Sequence, residues 1–405
     1  MLEFVLVYIF LIFLISVIYS FRKKDMLNPL SLFVIPLFFQ YLIYYIFYRK
    51  DHVVSAMTLS VYLLGLTSYV LGYFLFEEIN KKRDIVKNIT IEYKTNWKFV
   101  HFCLGVGVIC LILTRLYLIQ LNISDYDLGG RAANLREAFV YSLDTTPFYV
   151  TYGKYFLLFS VTIYFYEFLH RNQQINKLFM LFLIIILMIN AFNVVSRTDL
   201  LITIMPLLVI WMDSNNRKKL INKVRVKSQI LVVASILGIS LLMNIMRSTN
   251  NNYGLFDKNS SLIQYIGKPI IAFDQWILPH SNASKEILFL EPINKVLLKL
   301  ELIDYDNIKL ASLGQFNVYT YLKVPYMEFG LLGVLVLMLL IGILVNYLYL
   351  KSKTGSRNWL IFYSFYSYAI VMSFFDWQFG ITTYAYLILF LIGTSFINTK
   401  YRNKL

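Results

Sequence analysis

The sequence predicts an all-α polytopic membrane protein of about 11 transmembrane helices (about 10–12), with one large helical extracytoplasmic loop. Three observations carry this. Of 405 residues, 58% are hydrophobic and 15% charged, against about 45–50% and about 25% in soluble domains. The apolar residues gather in runs that reach the roughly 20 residues a helix needs to cross a bilayer. Aromatic residues make up 17%, with 32 Tyr and 33 Phe, as suits rings that settle at two lipid–water interfaces. A soluble globular enzyme, a disordered chain and a collagen-like chain are excluded.

In chain order the predicted spans are 2–21, 29–48, 53–76, 99–120, 148–170, 178–195, 199–213, 229–246, 329–350, 359–375 and 380–397. The first is not a cleavable signal peptide: Glu3 stands where a basic region belongs, and the apolar run exceeds the usual length. Cys103 and Cys110 lie seven apart in the fourth, roughly 10 Å along a helix axis, which is too far for a disulfide. The seventh is short and starts at Asp199, so it is read either as a span or as the second arm of a helical hairpin with the sixth. Orientation follows from the connections, because Lys and Arg are retained on the cytoplasmic side. Alternate connections carry Arg22–Lys24, Lys81–Lys98, Arg171 and Lys177, Arg217–Lys227, Lys351–Arg357 and Lys400–Lys404. The opposite set is Arg49–His52, 121–147, Ser196–Thr198, 247–328 and Asp376–Phe379. The amino terminus is therefore expected outside and the carboxyl terminus inside.

This places eight spans with the small extracytoplasmic loop 121–147 in 1–246, the large loop in 247–328, and three spans with a cytoplasmic tail in 329–405. Within the large loop, Ser261–Ile277 and Asn294–Ile303 have near-helical apolar spacing, and Tyr265 and Trp276 suit interface anchors; a lid lying on the membrane is expected. The formal charge of +15 sits in short clusters between spans, without any nucleic-acid-binding motif, so it reads as an orientation signal and no nucleic-acid partner is expected.

Charged side chains at membrane depth are expensive and usually functional. Arg115, Lys154, Arg197 and Arg247 qualify, and the last three lie near the outer face. Arg131 and Arg136 in GGRAANLRE add two guanidiniums on that side. Arginine donates two parallel charge-assisted hydrogen bonds to phosphate, so several outward Arg imply a diphosphate. Asp125–Asp127 and Asp304–Asp306 have a spacing able to hold a divalent cation, but such triplets arise readily by chance; neither a metal nor a cofactor is expected. His280, in WILPHSN, is a candidate general base. No Walker loop, HExxH, GxSxG or dinucleotide fingerprint is present.

On these residues the chain resembles oligosaccharide repeat-unit polymerases of the Wzy type, bacterial membrane glycosyltransferases of O-antigen, capsule or exopolysaccharide assembly. The resemblance rests on the many spans, the one large outward loop, the SRTDLL turn at Ser196–Leu201, GGRAANLRE, and GQFNVYTYLKVPYMEFGLLG at Gly314–Gly333, where the family often has Asp in place of Glu328. It implies a GT-C-type fold in a bacterial cytoplasmic membrane. It also implies inverting transfer of a glycan from undecaprenyl pyrophosphate to the non-reducing end of a lipid-linked repeat, without a cofactor, alongside a flippase and a chain-length regulator. Arg197 and Arg247 would stabilise the departing diphosphate, aided by Arg131, Arg136 and Lys154. Glu328, His280 or Asp274 would take the acceptor proton, and Asn317, Tyr319, Thr320 and Tyr326 would line the sugar site. The alternatives are a lipid-linked oligosaccharide flippase, which would usually show two similar halves, and an O-antigen ligase, which uses the same donor.

Overall fold

The computed structural model describes residues 2–83, 86, 95–120, 147–170, 175–193, 197–217, 257–277, 319–380 and 382–395. Every regular element among them is an α-helix: α1 (Leu2–Lys23), α2 (Pro29–Phe47), α3 (Ala56–Arg83), α4 (Trp97–Gln120), α5 (Phe148–His170), α6 (Lys177–Asn193), α7 (Arg197–Arg217), α8 (Ser261–Ile277), α9 (Lys323–Lys353), α10 (Arg357–Met372) and α11 (Thr382–Ser395). Ten coincide with predicted spans; the remaining one, the eighth at 229–246, lies outside the described residues. Among the described residues five helices, α1, α2, α3, α4 and α9, are long and apolar enough to cross a membrane. Their outer faces agree: Phe4, Leu11, Ile15 and Ile18 on α1, and Phe102, Ile109, Ile112 and Leu116 on α4, are exposed. Such stripes exceed what a soluble monomer leaves uncovered, and a bilayer covers them.

The described helices form two units, one of residues 1–89, 255–355 and 366–385, the other of 90–254, 356–365 and 386–405.

In the first unit α3 and α9 pack backbone to backbone. A Cβ at Gly72 would lie 2.1 Å from the Leu339 carbonyl oxygen, and one at Gly342 2.3 Å from that of Tyr69. Without a hydrophobic drive between helices in lipid, such close approach at small residues is what holds them. Asn346 Nδ2 adds a 2.7 Å hydrogen bond to the Tyr73 carbonyl. α9 starts earlier than its apolar run because Lys323–Phe329 forms a helical segment of its own. The break falls at Gly330, whose φ of 62° and ψ of −147° few other residues adopt.

Two polar clasps bracket this unit. At one, Glu77 accepts hydrogen bonds from Tyr19 Oη (2.6 Å) and Lys23 Nζ (2.8 Å), while Asp25 accepts from Tyr349 Oη (2.9 Å) and pairs with Lys353 (2.7 Å). At the other, Asp274 holds Ser55 at the start of α3. Glu77 and Ser55 are 22 residues apart on α3, about 33 Å, which matches a hydrocarbon core of about 30 Å. Each clasp joins only segments that the charge alternation assigns to the same side.

In the second unit α4 and α5 approach through Gly107, where a Cβ would meet the Leu157 nitrogen at 2.7 Å, and Gly153, where it would meet Cys110 Cβ at 2.3 Å. Cys103 and Cys110 are buried free thiols, as their spacing predicts. α7 runs from Arg197 to Arg217, longer than the predicted 199–213, the helix continuing through the polar residues on either side of the apolar run. It packs on α5 and α6, with Ser214 Oγ donating to the Leu169 carbonyl at 3.3 Å.

Candidate functional site

The first unit's site is assembled by α8, which occupies Ser261–Ile277 as its spacing predicts. It is no loose cover. Ile270, Phe273, Asp274 and Trp276 are buried as it packs on α2 and α3, so Trp276 is an internal side chain rather than an interface anchor. Tyr265 stacks on Phe375, centroids 3.9 Å apart.

Asp274 anchors the helix. Its Oδ1 accepts from the Ser55 backbone N (2.9 Å) and Ser55 Oγ (2.6 Å), and its Oδ2 lies 3.0 Å from His52 Nε2. Ser55 is the N-cap of α3, its Oγ accepting from Thr58 N at 3.3 Å. The carboxylate therefore also faces the positive end of the α3 dipole. The 48–55 connection is held from within, with Tyr44 Oη donating to the His52 carbonyl (3.0 Å) and accepting from Val54 N (3.1 Å). It is also held from outside, because Tyr48 Oη donates to the Lys258 carbonyl at 2.7 Å and Lys258 Nζ to Asp51 at 3.2 Å. Burial pushes the Asp274 carboxyl up, but hydrogen bonds from Ser55, Thr58 and His52 outweigh it and hold the group below the usual carboxylate range.

A folded pKa below the unfolded one means that the stabilisation is complete above about pH 4 and is lost as pH falls through the lowered value. Asp274→Ala should strip the two part-buried Ser55 donors of their acceptor, destabilising by about 1–2 kcal/mol. Hydrogen exchange in 261–277 should accelerate at neutral pH, and acidification should accelerate it further in the wild type than in Asp274→Asn. Equal acid sensitivity in the two would mean that another group anchors α8.

The other face of α8 meets the entry to α9. The Trp276 and Tyr326 rings lie edge to face at 6.4 Å, and Phe273 meets Tyr326 at the same distance. Lys323, the first residue of α9, places its ammonium 3.4 Å from the Tyr319 ring centroid and 5.3 Å from that of Trp276. Tyr321 N donates to the Ser373 carbonyl (3.1 Å) and Gln40 Nε2 to that of Phe374 (2.6 Å), which draws the 373–379 turn to the same end.

Of the sequence-predicted site residues, Tyr319, Thr320 and Tyr326 come to this end, Glu328 follows on the same helical segment, and all four are buried. Thr320 Oγ1 accepts from Leu322 N at 3.3 Å. Asp274, a third candidate for the proton, is committed to capping α3. In the second unit Lys154 on α5 forms a 2.5 Å ion pair with Asp199 in the first turn of α7. The same pair brings Lys154 to the turn that carries Arg197, which stands as the first residue of α7 rather than in a separate turn. A helix start presents unpaired backbone N–H donors, the geometry that receives anions. Arg131, Arg136, Arg247, His280 and Asn317, both Asp-x-Asp triplets and Asn294–Ile303 lie outside the described residues. Among the described residues no three His, Cys, Asp or Glu side chains are grouped to hold a metal ion.

Sequence reasoning missed Lys323 and His52. Lys323 stands inside a motif read for its Tyr, Asn and Glu, and His52 ends the short 49–52 connection, where nothing in the local sequence couples it to Asp274, 222 positions away. No protein-family model, no curated protein and no solved structure matches this chain.

Proposed function

We propose that the chain is a membrane glycosyltransferase that polymerises undecaprenyl-pyrophosphate-linked oligosaccharide repeats at the outer face of a bacterial cytoplasmic membrane. In this reading it has eleven spans, amino terminus outside, and a GT-C-like arrangement. The observation that carries it is the start of α7, where Arg197 opens a helix beside the Lys154–Asp199 pair, on the side the charge alternation assigns to the exterior. A helix start that opens on an arginine beside a lysine held by its ion pair is suited to a diphosphate.

An acceptor hydroxyl attacks the anomeric carbon of the donor glycan, a new glycosidic bond forms with inversion, and the carbon–oxygen bond to the lipid diphosphate breaks. Negative charge grows on the diphosphate as it leaves, and Arg197 and Arg247, with Arg131, Arg136 and Lys154, stabilise it without a metal. The hydroxyl proton passes to Glu328 or His280. Asn317, Tyr319, Thr320 and Tyr326 orient the sugars.

Deletion followed by gel analysis of cell-surface glycan tests this. The expected ladder collapses to a single repeat and is restored by wild type but not by Arg197→Ala. Precursor trapped inside, with no surface glycan, indicates a flippase instead; long polymer left unattached indicates a ligase. A flippase or a chain-length regulator would be the partners.

A further inference from the structure

Among the described residues Lys323 differs from the ion-paired lysines in what it lacks. Lys23, Lys81, Lys154, Lys258 and Lys353 each have a carboxylate oxygen within 4 Å. Lys323 is more buried than any of them, at 5% exposed, and among the described residues its ammonium donates no hydrogen bond and makes no ion pair. It rests on the faces of Tyr319 and Trp276. Asp376 is within electrostatic reach but not at ion-pair distance.

Two rings hold a cation only weakly, whereas burying an ammonium without a counter-charge carries a larger desolvation penalty. A methionine would fill the same space among Tyr319, Trp276 and Tyr326 without that penalty. Retaining a charge there makes physical sense when an anion completes the site. Lys323 is the first residue of a helix long and apolar enough to cross the bilayer, ahead of its apolar run, where a polar head group rather than an acyl chain would meet it.

We infer that Lys323, cradled by Tyr319 and Trp276, is a binding residue for a phosphate-bearing head group, the rings packing against what the phosphate carries. This anion site stands on its own geometry. Only its assignment to a polyprenyl diphosphate, as a second phosphate locus distinct from the Arg197 helix start, rests on the polymerase reading. With two lipid-linked substrates per transfer, two such loci are what the reaction needs.

The test uses the full chain in detergent, with inorganic pyrophosphate and farnesyl pyrophosphate as probes, read by thermal midpoint and by tryptophan-fluorescence titration. Farnesyl pyrophosphate is expected to raise the midpoint of the wild type. Lys323→Met should bind it at least tenfold more weakly, with an unliganded midpoint equal to or above wild type, and Lys323→Arg should keep most of the affinity. A purely structural lysine would give the opposite pattern, a lower unliganded midpoint and unchanged affinity. A wild type that responds to neither probe overturns the site without recourse to any variant. Equal affinity for the two probes assigns the site to a free anion; preference for the farnesyl compound assigns it to a lipid head group. Lys323-dependent binding together with an unaltered glycan ladder on deletion would remove the polymerase reading and leave this site standing.

Discussion

Gly72→Val should abolish recovery of a monodisperse folded protein, and Gly72→Ala should lower the thermal midpoint sharply. The reason is what an added Cβ would meet. At Gly72 its neighbours are the Leu339 carbonyl oxygen at 2.1 Å and carbonyl carbon at 2.9 Å, and at the facing Gly342 the Tyr69 oxygen at 2.3 Å and Tyr73 nitrogen at 2.9 Å. All are backbone atoms of long helices, so relief requires α3 and α9 to separate. Separation by an ångström or more also breaks the Asn346–Tyr73 hydrogen bond and loosens the entry to α9, where Leu322 Cδ2 is 2.4 Å from a Cβ at Gly65. Overpacking costs about 1–3 kcal/mol where side chains can yield; here they cannot, so the alanine variant belongs at or above the top of that range. Gly105 on α4 is the matched control. Nothing lies within 4 Å of its Cβ position, and alanine is the better helix former by about 1 kcal/mol, so Gly105→Ala should be neutral or stabilising. Equal midpoints for Gly72→Ala and Gly105→Ala would show that the crossing is not close-packed.

The contrast between these two glycines marks what the sequence reveals and what it hides. Both sit in apolar runs and look alike. The runs themselves are legible, because the apolar length needed to cross lipid and the charges that flank it are local properties; hence ten helices coincide with predicted spans. Ends are less so. α3 continues past its apolar run to Arg83 because Lys81 pairs with Glu77 and Glu78 one turn away, and α9 starts at Lys323 because Gly330 absorbs the break. The amphipathic period of 261–277 gave α8 its bounds, yet not its burial, which follows from the partners of Asp274 on the 52–58 stretch. Of the candidate site, the Tyr319–Glu328 cluster and the Lys154–Arg197 end were legible as polar residues beside spans. Lys323 was not, since the mark of its site is that no carboxylate among the described residues pairs with it, and partners are a tertiary property.

Arg357→Ala should destabilise the second unit by about 3–5 kcal/mol, the range for removing one member of a buried ion pair. Arg357 is 3% exposed and Glu167 fully buried. Arg357 Nη1 donates to Glu167 Oε1 at 3.3 Å and also to Thr95 Oγ1, while Thr95 Oγ1 itself donates to the same carboxylate oxygen at 2.5 Å. Nη2 donates to Thr394 Oγ1 at 3.4 Å and Nε to Asn358 at 3.0 Å. One planar fork thus joins the approach to α4, the last turn of α5, the first residue of α10 and the end of α11. Lysine carries the charge on a single nitrogen and cannot reach all of these acceptors at once, so Arg357→Lys should recover only part of the loss. Glu167→Ala should be comparably damaging, because it leaves the guanidinium buried without its anion. The decisive measurement is the cycle: Arg357→Met with Glu167→Met removes both charges and fills their volume, and its midpoint should exceed that of either single variant. Additive losses would instead mean that the two groups act independently and that the clamp is not an ion pair in energetic terms. The expected coupling has a consequence for sidedness as well. This clamp sits among the segments rich in Lys and Arg, so cysteines placed beside it should resist a membrane-impermeant thiol reagent applied from outside, whereas a cysteine at Lys258 should react.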